Sequence, residues 1–158
     1  MIEELRHIRR RQAALRATID VESNFFQWQE SCVPSYCHRN PLIAYVSWQR
    51  LFTAAKLVRR HARRNPRVLD FGASVGEMVH LLDNVQAYDF VEKDESATSI
   101  FLTQYPGAFR QTFETALRGN YDVVLAMDAL EHNNNYSEIR LIPLPPGLQD
   151  VGDTGAGS

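Results

Sequence analysis

Apolar residues recur at three- and four-residue steps up to Pro66, then gather into short runs separated by turn signals. Residues 2–17 carry Ile2, Leu5, Ile8 and Leu15 with arginines between them, which predicts a short amphipathic helix. The aromatic stretch "NFFQWQESCVPSYC" has no period and reads as a packing or lid segment. A longer helix is predicted over "NPLIAYVSWQRLFTAAKLVRRHARRNP", with Asn40 as its cap, Pro41 in its first turn and Asn65-Pro66 as its stop. Tyr45, Trp48, Leu51, Phe52, Ala55 and Val58 form its apolar stripe, and Arg59, Arg60, Arg63 and Arg64 its basic end, where the helix dipole favours positive charge.

Beyond Pro66 the pattern alternates. "RVLDF", "VQAYDFVE", "AFRQT" and "YDVVLAM" read as strands, "GEMVHLL" begins a helix, and "ESATSIFLTQY" is a second one ended by Pro106-Gly107. Strands alternating with helices predict an α/β fold with a parallel sheet. The expected organisation is an N-terminal helical cap or lid over residues 1–65, a sheet domain over 66–142, and a disordered tail over 143–158.

The chain has 158 residues, enough for one domain with a core. Charge changes the picture more than composition does. Residues 1–67 hold 13 Lys/Arg against 5 Asp/Glu, whereas residues 68–158 hold 4 against 14. A basic front half can grip phosphates, anionic lipid or an acidic substrate, or its helix faces can complement the acidic half. Aromatic and basic residues do not interleave on the strands and no nucleic-acid-binding motif is present, so a nucleic-acid partner is not expected. No run of 18 apolar residues predicts a membrane span, and "MIEELRHIRRRQ" lacks a signal-peptide core, which makes a cytoplasmic location the expectation. Cys32 and Cys37 flank a C-x4-C spacing with His38 beside it, but structural zinc needs four ligands, and two reduced thiols are expected rather than a metal site.

The candidate chemistry lies in "DFGASVGE", residues 70–77. Gly72, Ser74 and Gly76 match the G-x-S-x-G elbow of a serine hydrolase, and Ser74, Asp128 and His132 follow that family's chain order. Against this, the preceding residues are helical rather than strand-forming. Asp128 and His132 are also only four residues apart, and no oxyanion segment lies upstream. A glycine-rich cofactor loop explains more. Strand, glycine turn and helix would present backbone N–H groups to an anionic group, and the two glycines would let a ligand approach the backbone. Glu92, at the end of the second strand, can accept two hydrogen bonds from a ribose diol. That arrangement fits NAD and S-adenosylmethionine equally.

"VLDFGASVGE", "FVEKDES" and "YDVVLAMDALEH", in this order, resemble motifs I, II and IV of class I S-adenosylmethionine-dependent methyltransferases over residues 66–140. The resemblance implies a Rossmann-like parallel sheet with helices on both faces. It implies that Asp70 closes the first strand near the methionine amino group, that Gly72, Ser74 and Gly76 form the loop, and that Glu92 binds the ribose with Lys93 beside the adenine. Met127 and Asp128, in the segment running to His132, would line the methionyl end, and "LEH" disfavours the NAD alternative. Ser74 stands where a glycine is common, its hydroxyl within reach of the methionine carboxylate. Thr112 and Phe113 are the nearest match to the adenine-contacting pair. His132 is the positional candidate for a base if the acceptor must lose a proton, or else a helix-start residue packed beneath the cofactor.

The resembled fold has seven strands, of which four are legible here. "PLPPGLQDVGDTGAGS" replaces what would be a turn and a fifth strand, with "LPPG" as a trace of the turn. The expectation is a truncated or frame-shifted methyltransferase acting on an unidentified acceptor, a small molecule among the candidates, with activity compromised. The alternative is a non-catalytic interaction module that self-associates through an exposed fourth strand.

Overall fold

The structure is a computed structural model and describes residues 2–19, 28 and 31–127. Helix α1 spans Ile2–Thr18, with Glu3 and Glu4 in its first turn and Arg16 in its last, the order the helix dipole favours. Ile8 and Leu15 are buried, whereas Ile2, expected on the same stripe, is 66 % exposed. A single turn, α2, covers Val33–Tyr36. Helix α3 runs Pro41–His61, capped by Asn40, whose Oδ1 accepts from the Leu42 N–H at 3.0 Å. Its buried face is Ala44, Trp48, Leu51, Ala55 and Val58; Tyr45 and Phe52 flank that face and are half-buried.

Four parallel strands follow: β1 (Arg67–Phe71), β2 (Ala87–Val91), β3 (Phe109–Arg110) and β4 (Val123–Ala126), in the order β3-β2-β1-β4. This is the first part of a doubly wound, Rossmann-like sheet. Between strands lie a 3-10 helix (Glu77–Leu81), α4 (Glu95–Gln104) and α5 (Phe113–Leu117). The sequence predicted a helix at "GEMVHLL"; the structure gives one tight 3-10 stretch there, entered from a left-handed Gly76.

Side chains alternate across the sheet and define two cores. On one face Val68, Tyr88, Phe90 and Leu125 meet the N-terminal helices, the 3-10 helix and α4. On the other, Leu69 and Phe71 are covered by Ala116 of α5 and by Tyr121. Helices therefore lie on both faces, as expected, but among the described residues the second face carries one short helix. Residues 128–158, including the expected tail, fall outside the description. Among the described residues no helix is long and apolar enough to cross a membrane.

Phe101 of α4 packs on Phe90 with ring centroids 4.3 Å apart. The same ring lies against Gly76, where an added Cβ would stand 2.4 Å from Phe101 Cδ2, at a φ of +82°. The sequence reading assigned Gly76 to ligand approach; its missing side chain instead admits a core ring. Gly76→Ala is expected to cost at least about 2 kcal/mol in urea unfolding, from strain and overpacking together. Adding Phe101→Leu should recover part of that loss, and an additive double mutant would refute the steric account.

Candidate cofactor site

The loop after β1 is built from alternating left-handed residues: Gly72 at φ +67°, Ser74 at +50° and Gly76 at +82°. Glycine accepts this freely, while a serine held there costs on the order of 1–2 kcal/mol. The Gly72 N–H donates to the Val91 carbonyl at 2.9 Å, tying the ends of β1 and β2, and the Gly76 N–H donates to the Ala73 carbonyl at 2.9 Å. The Ser74 N–H donates to Glu92 Oε2 at 2.7 Å. Three amides expected to face an anionic group are thus engaged within the protein, and the 3-10 helix behind them is a single short stretch. The Ser74 hydroxyl is buried and has no partner.

Glu92 directly follows β2, the strand end at which the sequence placed it, and its carboxylate reaches the β1 loop. Its Oε1 accepts from the Lys93 N–H at 2.8 Å and the Asp94 N–H at 3.0 Å, while Oε2 accepts from Ser74. A carboxylate has about four acceptor positions, so about one remains, on Oε2. The expected pair of bonds to a ribose diol is reduced to one by the backbone's prior claim. Asp94 next caps α4 through Ser96 N–H and Ala97 N–H at 2.7 and 3.0 Å. Arg110 of β3 fastens the same corner, donating to the Glu92 carbonyl at 2.7 Å and pairing with Glu95 at 2.8 Å.

Asp70 behaves differently from its expected role. It is 2 % exposed and faces the first core, where the Tyr88 hydroxyl donates to its Oδ2 at 2.6 Å. Burial raises its pKa to about 7, opposed by the Tyr88 hydrogen bond and assisted by the charge of Glu92. Lys93 is exposed beside Glu92. Phe113, half-buried, sets its ring edge-on to Phe71 at 5.5 Å, and the Thr112 side chain closes a capping box with Thr115. Both are thereby engaged on the second face and at the α5 start. Met127 is half-buried just past β4. Asp128 and His132 lie outside the described residues, so the structure brings together Gly72, Ser74, Gly76 and Glu92 out of the predicted set.

Sequence reasoning missed three supports. Tyr88 seals Asp70, Arg110 holds the Glu92 corner, and Arg11 of α1 forms a forked ion pair with Glu77, the residue after Gly76, at 2.9 and 2.7 Å. The surplus of arginines in the front half was the available signal for Arg11, since part of that surplus answers the acidic half directly. Arg63 does likewise, pairing with Asp122 at 2.8 Å.

Among the described residues no three His, Cys, Asp or Glu side chains converge to hold a metal ion. Cys37 is buried, and burial pushes its thiol up to about 11. An open cleft of about 490 Å³ lies between Arg63–Asn65 and Asn84–Gln86. It sits at the amino ends of β1 and β2, the opposite end from the loop, whereas open α/β sheets bind ligands at the carboxyl ends.

No protein-family model and no curated protein sequence matches the chain. Among solved structures it is similar to the YcgJ protein of Bacillus subtilis, at 16 % identity and a TM-score of 0.46 over 57 % of this chain and 44 % of that one. It is also similar to SAM-bound CalS10, an amino pentose methyltransferase from Micromonospora echinaspora involved in calicheamicin biosynthesis. There the identity is 16 % and the TM-score 0.41, over 60 % of this chain and 41 % of that one. The chain spans less than half the length of either protein.

Asp70 and His80 give opposite pH dependences. Asp70, raised from 3.8 to about 7, adds stability below pH 4 that is lost as pH climbs towards 7. His80, lowered to about 4 by burial and then by Arg11 and His7, adds stability above pH 6.5 that is lost as pH falls towards 4. Asp70→Asn keeps the neutral form at every pH. Relative to wild type it should gain on the order of 4 kcal/mol at pH 8 and about nothing at pH 4, read from denaturation midpoints. A difference independent of pH would show that Asp70 does not titrate in this range.

Proposed function

We propose that the chain carries the cofactor-binding part of a class I S-adenosylmethionine-dependent methyltransferase. The observation that carries this reading is the convergence of Ser74 and Glu92: residues 18 apart in sequence meet through one 2.7 Å hydrogen bond at the carboxyl ends of adjacent parallel strands. That is where a nucleoside-bearing cofactor binds in such sheets. Ser74 supports it independently, because a buried hydroxyl without a partner on a strained residue costs free energy unless a ligand uses it.

The residues present suit this cofactor in part. The free acceptor position on Glu92 Oε2 would take one ribose hydroxyl, and the Ser74 hydroxyl would take the carboxylate of the methionyl group. Gly72 is exposed and lets the ligand lie against the backbone. Asp70 would act through Tyr88 on the strand ends rather than by touching the ligand. When bound, the cofactor supplies an activated methyl group on a sulfonium. The chain's own task is then to hold it in line with an acceptor and exclude water. For an acceptor that must lose a proton, His132 is the proposed base.

Isothermal titration with S-adenosylhomocysteine tests the reading. Weak binding is expected in the wild-type chain, and Glu92→Ala should lower the affinity at least about tenfold, the value of one charge-assisted hydrogen bond. Ser74→Gly separates strain from contact: unfolding stability should rise by about 1 kcal/mol while ligand affinity falls several-fold. Unaltered affinity in the Glu92 variant would remove the ribose assignment, and unaltered affinity in the Ser74 variant would remove the carboxylate contact.

A further inference from the structure

We infer that Arg11, on the N-terminal helix, is a positioning residue of the glycine loop, acting through Glu77. The inference rests on the reading of that loop as a cofactor cradle. Glu77 directly follows Gly76, so its backbone is the loop's exit. Its side chain is 1 % exposed and turns away from the loop mouth into the layer formed by α1. There Arg11 meets it with two nitrogens, Nε to Oε2 at 2.9 Å and Nη2 to Oε1 at 2.7 Å. The same Nη2 also donates to Gln104 Oε1 at the end of α4. One guanidinium, 13 % exposed, therefore joins three elements: α1, the loop exit and the helix that follows β2.

The planar fork of arginine fixes the orientation of a carboxylate, not only its charge. With Glu77 fixed, the Gly76–Glu77 peptide cannot rotate, and Gly76 cannot leave its left-handed conformation or lift from Phe101. The nearby groups reinforce this arrangement. Burial, and after it the charge of Arg11, lowers both His7 and His80 from the usual imidazole value, which disfavours a second cation in this layer. Arg10, the other cation near His7, is exposed. Arg11 bonds Glu77 and Gln104, whereas Glu92 is held by the Ser74, Lys93 and Asp94 amides, so the influence of Arg11 should fall on the loop rather than on the ribose contact.

The experiment uses the full chain with Arg11→Lys, which keeps the charge and loses the fork, and Arg11→Met alongside it. Without ligand, hydrogen exchange at the Gly72, Ser74 and Gly76 amides should accelerate about tenfold in Arg11→Lys, while the Leu69 and Tyr88 amides change less than about twofold. With ligands, S-adenosylhomocysteine affinity should fall about five- to tenfold, while 5′-methylthioadenosine, which lacks the amino-acid end, should change less than about twofold. Unchanged loop exchange, or equal acceleration through the sheet, overturns the inference, as does equal loss of both ligands. If the wild-type chain binds neither nucleoside, the cofactor reading falls, and the exchange measurement still decides whether Arg11 holds the loop. If Arg11→Met does not fold, Arg11→Lys alone carries the result.

Discussion

Three backbone N–H groups from two different loops converge on the carboxylate of Glu92. A parallel sheet leaves the carboxyl ends of its strands with amides that no further strand can satisfy, and a buried unpaired amide is costly. One side chain answers several of them here. The Ser74 amide comes from the β1 loop, and the Lys93 and Asp94 amides from the β2 loop. The arrangement then propagates: Asp94, held by Glu92, is free to cap α4, and α4 presents Phe101 to Gly76 and Gln104 to Arg11. The candidate site is therefore a by-product of how the sheet closes its own upper edge.

The same economy appears inside the sheet, where β1 and β2 each bury an aspartate. Asp70 lies on the face towards the N-terminal helices and takes the Tyr88 hydroxyl; Asp89 lies on the opposite face and takes the Tyr121 hydroxyl at 3.1 Å and the Gln111 amide at 3.0 Å. Each carboxyl is matched by a phenol that keeps its proton, because burial and the neighbouring carboxyl both push the tyrosines upward. Paired this way, two polar groups enter the core without orphaned atoms. Alternation along β2 places Tyr88, the partner of Asp70, and Asp89 itself on opposite sides of one strand.

Local signals were legible and remote ones were not. Asn40-Pro41 marked the start of α3 because a cap and a first-turn proline act on neighbouring backbone atoms. The strands were legible because a buried strand is a short apolar run, and Glu92 was placed by its distance from the glycines. The 3-10 helix was not foreseen, since the choice between α and 3-10 over five residues depends on how Gly76 enters it. Nor was the role of Gly76 itself, because the ring it admits lies 25 residues further along the sequence. Tyr88 looked like one more strand aromatic, and only the strand register, which sets it beside Val68 and two residues along the same face from Asp70, shows what its hydroxyl does.

The ion pair between Arg11 and Glu77 spans 66 residues, and its longer consequence lies in the order in which the chain is made. Helix α1 leaves the ribosome ahead of the sheet it docks on, and the carboxylate that receives Arg11 is synthesised roughly 3–13 seconds later at ordinary elongation rates. For that interval Ile8, Leu15 and a row of arginines have no sheet to dock on. A nascent chain built this way exposes a basic, partly apolar segment from the time α1 emerges, and conceals it only once β1 and its loop have followed.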